Sequence, residues 1–282
     1  MLITRRRLLE AISGSTFFLS VAPAALALPV LPEDAPALAF PQGVASGDPQ
    51  PHAVMLWTRA QPESGDHERV PVQLQVSADE AFDDILLQAE LATGAHSDYT
   101  LRAHVDGLAP DRWYFYRFLG AGDAVSRTGR TRTAPAPDQA RPVNLAFGSC
   151  QSYENALYGS WARMIADDKA APEEEQIDVV LHMGDFIYER SWPQLRDGSP
   201  QTRVLPPFPD GRQTDKNRYA VSLADYRFLY RTYLEDPHLQ EARARWPFVC
   251  PWDDHVFSND TFQSFSSYGG RHVLVARRTL WA

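Results

Sequence analysis

The sequence predicts an all-β domain followed by a layered α/β domain. Three observations support this. Between Phe40 and about Ala134, short runs of strand-like composition recur, spaced by Gly, Pro, Asp and Ser. Beyond a Pro- and Ala-rich stretch, TAPAPDQARP (133–142), largely apolar strands alternate with helical patterns. Finally, each of the three strands there runs into residues able to bind a metal.

In chain order, the first element is a leader. MLITRRRLLEAISGSTFFLSVAPAALALP has a basic start, an uncharged run from Ala11 to Leu28, and Ala25-Leu26-Ala27 as a small-x-small cleavage pattern. This predicts an export signal over 1–27. Thr4-Arg5-Arg6-Arg7-Leu8-Leu9 resembles a twin-arginine signal, which implies passage through the twin-arginine export machinery to a periplasmic or secreted location. The run Ala11–Ala27 is too short and too mildly apolar for a permanent membrane span. The leader carries three Arg and one Glu, so its removal takes the net charge from −9 to −11. A Pro-rich lead-in at 28–39 reads as loop.

Strands are expected at 53–60, 70–78, 85–94, 99–108 and 113–121, as in an antiparallel sandwich over 40–134. Val72, Leu74 and Val76 alternate with Gln73 and Gln75, the mark of a half-buried strand, whereas 85–94 alternates less well. Residues 135–142 read as a linker. The second domain, 143–282, opens with the strand VNLAFGSC (143–150). A helix with Trp161, Met164 and Ile165 on one face follows, then the strand DVVLHMGD (178–185). LADYRFLYRTYLEDPHLQEARARW (223–246) predicts one or two helices broken at Asp236-Pro237. WPFVCPWDDH is the third strand, and its two prolines make it the least regular.

Bulk properties limit the functions available. A chain of 282 residues with 44% hydrophobic content can bury a large core. A net charge of −9 without a basic stripe argues against a nucleic-acid-binding surface. The 22 Pro and 16 Gly are too few for a fibrous or disordered chain.

The chemistry lies where the strands end. The first ends in Ser149-Cys150-Gln151. The second ends in Gly184-Asp185, with Tyr188 and Glu189 just beyond, and the third in Asp253-Asp254-His255. In open α/β sheets, ligands bind in the crevice beyond the carboxyl ends of strands. Thiolate, phenolate and carboxylates together suit a high-charge iron and a harder, oxygen-preferring cation. Alone, each piece is commonplace: a turn, a helix cap, a small core cysteine. Their combination in this order is specific.

Several long stretches resemble the alkaline phosphatase D (PhoD-like) metallophosphatases: FPQGVASGDPQPHAVMLWTR (40–59), LAFGSCQ (145–151), HMGDFIYE (182–189), DYRFLYRTYLEDPHLQEARARWPFVCPWDDH (225–255) and SND (258–260). The resemblance runs to about Tyr268. It implies an Fn3/Ig-like sandwich followed by a calcineurin-like metallophosphatase domain, here incomplete, and an exported hydrolase of phosphate mono- or diesters acting through a metal-activated hydroxide. It also implies ferric iron and calcium. Asp185 would bridge the metals, Tyr188 and Cys150 would bind iron, and Asp254 the second metal. His255 would sit over the phosphoryl group, with Asn259 contributing. Cys150 as a ligand leaves no Cys150–Cys250 disulfide, and Cys250 is then expected free and buried.

The resemblance also has departures. Val256 stands where the family usually has Glu after Trp-Asp-Asp-His. Family members continue past this point and supply further Asp and His ligands, whereas GGRHVLVARRTLWA no longer looks like the family and His272 matches no ligand motif. Half a layered domain is expected to leave an apolar face uncovered, and the chain made alone to bind metal poorly and show little activity. Two rival readings stand beside the hydrolase: a non-enzymatic surface module whose acidic strand ends bind structural calcium, and a redox protein using both cysteines. The second lacks Cys-x-x-Cys spacing. Loop 191–222, with Arg196, Arg203 and Lys216 and with Arg190 at its edge, is either substrate-shaping or a solvated charged loop.

Overall fold

The structure is a computed structural model that describes residues 16–21, 31–155, 157–192, 194, 198–214, 217–256 and 258–260. Most of the predicted leader, Arg196, Lys216, His272 and the segment 269–282 lie outside the described residues. The chain divides into two compact units. One comprises Met1–Leu145, Glu174–Val179 and Gln240–Val249; the other comprises Ala146–Glu173, Val180–Leu239 and Cys250–Ala282.

The first unit is built from β1 (Thr16–Ser20), β2 (Val44–Gly47), β3 (Ala53–Arg59), β4 (Val70–Ser77), β5 (Ile85–Thr93), β6 (Thr100–Asp106), β7 (Trp113–Leu119) and β8 (Gly129–Arg132). One sheet runs β1-β6-β3-β2; the other runs β8-β7-β4-β5. Val54, Leu56, Leu101 and Val105 from the first meet Val72, Leu74, Val76, Tyr116 and Phe118 from the second in one buried cluster. The five strands read from the sequence are present, each ending within two residues of its expected bounds. β2 and β8 escaped notice because VASG and GRTR carry no alternating apolar face.

β4 differs from expectation in one respect: its polar face is buried too, Gln73 and Gln75 included. β4 is central, paired with both β5 and β7. Gln75 is satisfied there, accepting from Arg117 Nε at 2.8 Å and donating to Gln88 Oε1 at 3.1 Å. Thr16–Ser20, within the predicted leader, pairs in parallel with β6, and Phe17, Leu19 and Val21 pack against the core.

Glu174–Val179 and Gln240–Val249 join this unit through specific contacts. Strand β11 (Pro247–Val249) runs parallel to β2. Asp178 accepts from Arg132 Nη1 at 2.8 Å, Arg141 Nη1 at 2.9 Å and the Asn144 amide at 2.9 Å. Burial opposes the charge on Asp178. The Arg141 hydrogen bond, the Asn144 amide and the nearby guanidinium charges outweigh it and hold the carboxyl below its ordinary range.

The second unit holds α1 (Gly159–Ala170) and α2 (Leu223–Leu234), with strands β9 (Leu145–Gly148) and β10 (Val179–His182) at its margin. Ser222 and Asp225 form a reciprocal capping box at the start of α2. The predicted break at Asp236-Pro237 is a helix start: α3 (Pro237–Arg245) has proline at its first position, and Asp236 Oδ1 accepts from the His238 and Leu239 amides. β9 and β10 are neighbours, and Leu145, Phe147 and Met183 are exposed, with Phe147 81% open to solvent.

His182, the last residue of β10, is buried with neither ring nitrogen hydrogen-bonded. It lies between Trp161, stacked at 6.5 Å, and Phe186, edge-on at 5.0 Å. Desolvation pushes its pKa from 6.5 down to about 4. The folded pKa is therefore depressed. Between pH 6.5 and 4 the unfolded chain takes up a proton that the folded chain refuses. Stability is full above this window and is lost as pH falls through it, by about 3 kcal/mol. Urea unfolding at a series of pH values should show this loss, and His182→Phe should flatten it. Parallel profiles would refute the assignment.

Candidate metal centre

The loops that leave β9 and β10 stay joined past the strand ends. Met183 N–H donates to Gly148 O at 2.7 Å, Cys150 N–H to Gly184 O at 3.2 Å, and Gln151 N–H to Asp185 O at 3.2 Å. Both Cys150 (φ 60°) and Asp185 (φ 53°) take the left-handed conformation, uncommon for side chains other than Gly and Asn. The two turns bring the side chains together: Cys150 Sγ lies 3.4 Å from Asp185 Oδ2.

Gly184 makes this possible. Its φ of 114° is glycine's territory, and a Cβ there would fall 2.4 Å from the Cβ of Asp253. Only a hydrogen at this position lets the 253–256 turn approach the Gly-Asp pair.

Tyr188 lies one turn beyond Asp185, and its hydroxyl donates to the same Oδ2 at 3.2 Å. Its backbone amide donates to the Tyr233 hydroxyl at 3.2 Å, which places the segment against α2. Its ring lies 4.4 Å from the imidazole of His255. Ligand atoms of Asp185, Asp254 and His255 lie within 4.8 Å of one another. The Asp254 carboxylate accepts from the His255 amide at 2.9 Å and from the Asp260 amide, folding 254–260 into a tight turn.

Glu189, not among the residues singled out for a role from the sequence, orders the other side. It is 2% exposed. Its Oε2 lies 2.8 Å from His255 Nδ1, and its Oε1 accepts the Asn259 amide at 3.0 Å. A carboxylate acceptor places the proton on Nδ1 and leaves Nε2 for another partner. Burial works against a charged His255, but the Glu189 hydrogen bond and charge, with Asp185 and Asp254 behind them, raise its pKa above the ordinary imidazole value. Val256 is a buried side chain, and the carboxylate beside His255 comes from Glu189.

The donor set fits a cation. Asp185 is buried, and its Oδ1 has no hydrogen-bond partner. Burial, then the charges of Asp185 and Cys150, hold the Tyr188 phenol firmly protonated. A positive ion among these groups would relieve both conditions: it would fill the orphan oxygen's coordination and stabilise the phenolate. Asp185, Asp254 and His255 could hold it, with Cys150 and Tyr188 gathered on Asp185 Oδ2. Asn259 is drawn in by its backbone, while its side-chain amide donates to Asp260 Oδ2 at 2.7 Å.

Two sequence expectations change. Cys250 is free but exposed, because β11 ends at Val249 and the chain turns outward through Pro251 and Trp252. Arg203 is a structural anchor in a loop read as substrate-shaping or solvated. It donates to the Tyr153 carbonyl, pairs with Asp236 at 2.7 Å and stacks 3.7 Å above the Tyr153 ring. Arg190 stacks 3.8 Å above Trp192.

Comparison with known proteins places the chain in a family of phosphatase-like sequences. The family models described as "PhoD-like phosphatase, N-terminal domain" and "PhoD-like phosphatase" match residues 25–135 and 145–277. Alkaline phosphatase D of Bacillus subtilis (strain 168) is 33% identical over 227 residues, covering 78% of this chain and 36% of the relative. A solved structure titled "Structure of PhoD" superposes with a TM-score of 0.73 at 31% identity, covering 92% of this chain and 46% of that one. The chain belongs to the PhoD-like phosphatase family. It spans less than half the length of these two relatives.

Two outcomes follow from the geometry. Gly184→Ala should destabilise the chain by about 2–4 kcal/mol, since it adds both backbone strain and a clash with the Asp253 side chain. Asp185→Asn should behave differently. An amide removes a buried carboxylate with one unpartnered oxygen and tolerates the left-handed backbone, so the metal-free melting temperature should hold or rise. Added metal ions should raise the wild-type melting temperature, and that rise should vanish in this variant. Thermal melts with and without metal check both.

Proposed function

We propose that this chain carries the metal-binding rim of an exported phosphoric ester hydrolase, a metal-dependent phosphatase or phosphodiesterase. The single observation that supports it best is the buried Asp185 carboxylate. One oxygen receives the Cys150 thiol and the Tyr188 phenol, and the other has no partner. In this reading Cys150 and Tyr188 would hold ferric iron, Asp254 would hold calcium, and Asp185 would serve both. The cations supply Lewis acidity, offsetting charge on the phosphoryl oxygens and acidifying the attacking water.

The chain's own residues do the rest. Glu189 fixes the His255 ring through Nδ1, so Nε2 points to substrate and, when protonated, donates to a phosphoryl oxygen or to the departing alkoxide. Glu189 also holds the Asn259 backbone, which keeps the 258–260 turn beside that ring. The left-handed turns at Cys150 and Asp185 orient both side chains before any ligand arrives, which lowers the ordering cost of binding.

The amino-terminal unit is read as an Fn3/Ig-like scaffold over 40–134, joined by a linker at 135–142 to the catalytic domain. The basic, twin-arginine-like start supports export to the periplasm or beyond. Among the described residues no helix is long and apolar enough to cross a membrane.

The test is hydrolysis of a chromogenic phosphodiester and phosphomonoester by the purified chain with ferric iron and calcium. Weak turnover above buffer that is lost on chelation and absent in Asp185→Asn is the expected result. A visible phenolate-to-iron absorption band that disappears in Tyr188→Phe should accompany it. Calcium binding without the band and without turnover would favour the non-enzymatic module.

A further inference from the structure

We propose that Glu154 is a positioning residue for the metal-binding phenol. Glu154 is 2% exposed, four residues beyond Cys150. Its Oε1 accepts from the Ser191 hydroxyl at 2.7 Å and the Leu205 amide at 3.0 Å, and its Oε2 accepts from the Trp192 amide at 2.7 Å. One carboxylate thus pins the chain just after Glu189 and the chain around Leu205 to the loop that carries Cys150.

The pinned residue touches the site. The Trp192 indole packs edge-on against the Tyr188 ring, with centroids 6.5 Å apart. The neighbouring residue, Tyr153, reaches the Tyr188 backbone through Tyr233. The Tyr153 ring packs on Tyr233 at 5.4 Å, and the Tyr233 hydroxyl accepts the Tyr188 amide. Residues 153 and 154 therefore hold Tyr188 between Tyr233 and Trp192 and keep its hydroxyl on Asp185.

A carboxylate is an expensive way to fill a core position. Buried charge costs several kcal/mol before its hydrogen bonds form, and apolar packing of equal volume stabilises as well. What it supplies is geometry: two oxygens, with acceptor directions that admit three donors from two chain segments and no others. Groups that orient metal ligands from behind typically change metal affinity by about 10–100-fold when removed.

This inference rests on Tyr188 being a metal ligand, so the experiment separates the two. Ferric iron is titrated into the wild-type chain, Glu154→Gln, Glu154→Asp and Leu229→Ala, following the phenolate-to-iron band. Leu229 is a fully buried α2 residue outside the site. Hydrogen exchange of the peptide 186–192 is measured on the same proteins without metal.

Glu154→Gln should weaken iron binding about tenfold or more and speed exchange in 186–192, and Glu154→Asp should recover part of both. Leu229→Ala, with an equal or larger drop in melting temperature, should change neither. Glu154→Gln binding iron as the wild type does, or losing no more than Leu229→Ala, overturns the proposal. A wild type without the band overturns the reading of Tyr188 as an iron ligand and, with it, this role for Glu154. The exchange data then decide whether Glu154 orders the 186–192 segment at all.

Discussion

The site depends on the continued pairing of two chain segments after their strands have ended. β9 and β10 run out at Gly148 and His182, yet amides from 150, 151 and 183 still bond across the gap. That pairing supports two left-handed residues side by side, Cys150 and Asp185. Left-handed backbone at a cysteine and an aspartate costs about 1–3 kcal/mol each, and it persists because the surrounding hydrogen bonds overdetermine it. The strain points a thiol and a carboxylate at one another.

From that point the structure is a set of braces. Gly184 admits the 253–256 turn by having no side chain. Tyr233 holds the Tyr188 backbone and Trp192 its ring, and Glu189 holds both His255 and the Asn259 backbone. Glu154, Glu189 and Asp225 are each buried carboxylates saturated by donors from separate segments. In a unit with only short strands, such hubs replace the long ladders that order the first unit. Among the described carboxylates of this unit, Asp185 is the one with a buried, unpartnered oxygen, and its chemistry calls for a ligand.

The exposed apolar side chains on β9 and just past β10 sit apart from this network. Leu145, Phe147 and Met183 alternate outward while Val180 and His182 turn inward, as period-two geometry dictates. The relatives matched here are more than twice as long as the portion of them this chain covers.

The sequence by itself determined the element classes, a helical break at Asp236-Pro237, and a set of candidate side chains at the strand ends. These are written in local signals: alternation of side chains, capping residues, and motifs at the ends of apolar runs. It also determined family membership, because several long motifs occur in order. What only the tertiary structure decided is who stands behind those residues. Glu189 on His255, Glu154 on Trp192, and Arg203 locked against Tyr153 rather than free in solvent all join positions 38 to 66 residues apart. A buried carboxylate and a solvated one look alike in sequence. The difference lies in which donors the fold brings within hydrogen-bond reach, and that depends on contacts no local pattern encodes.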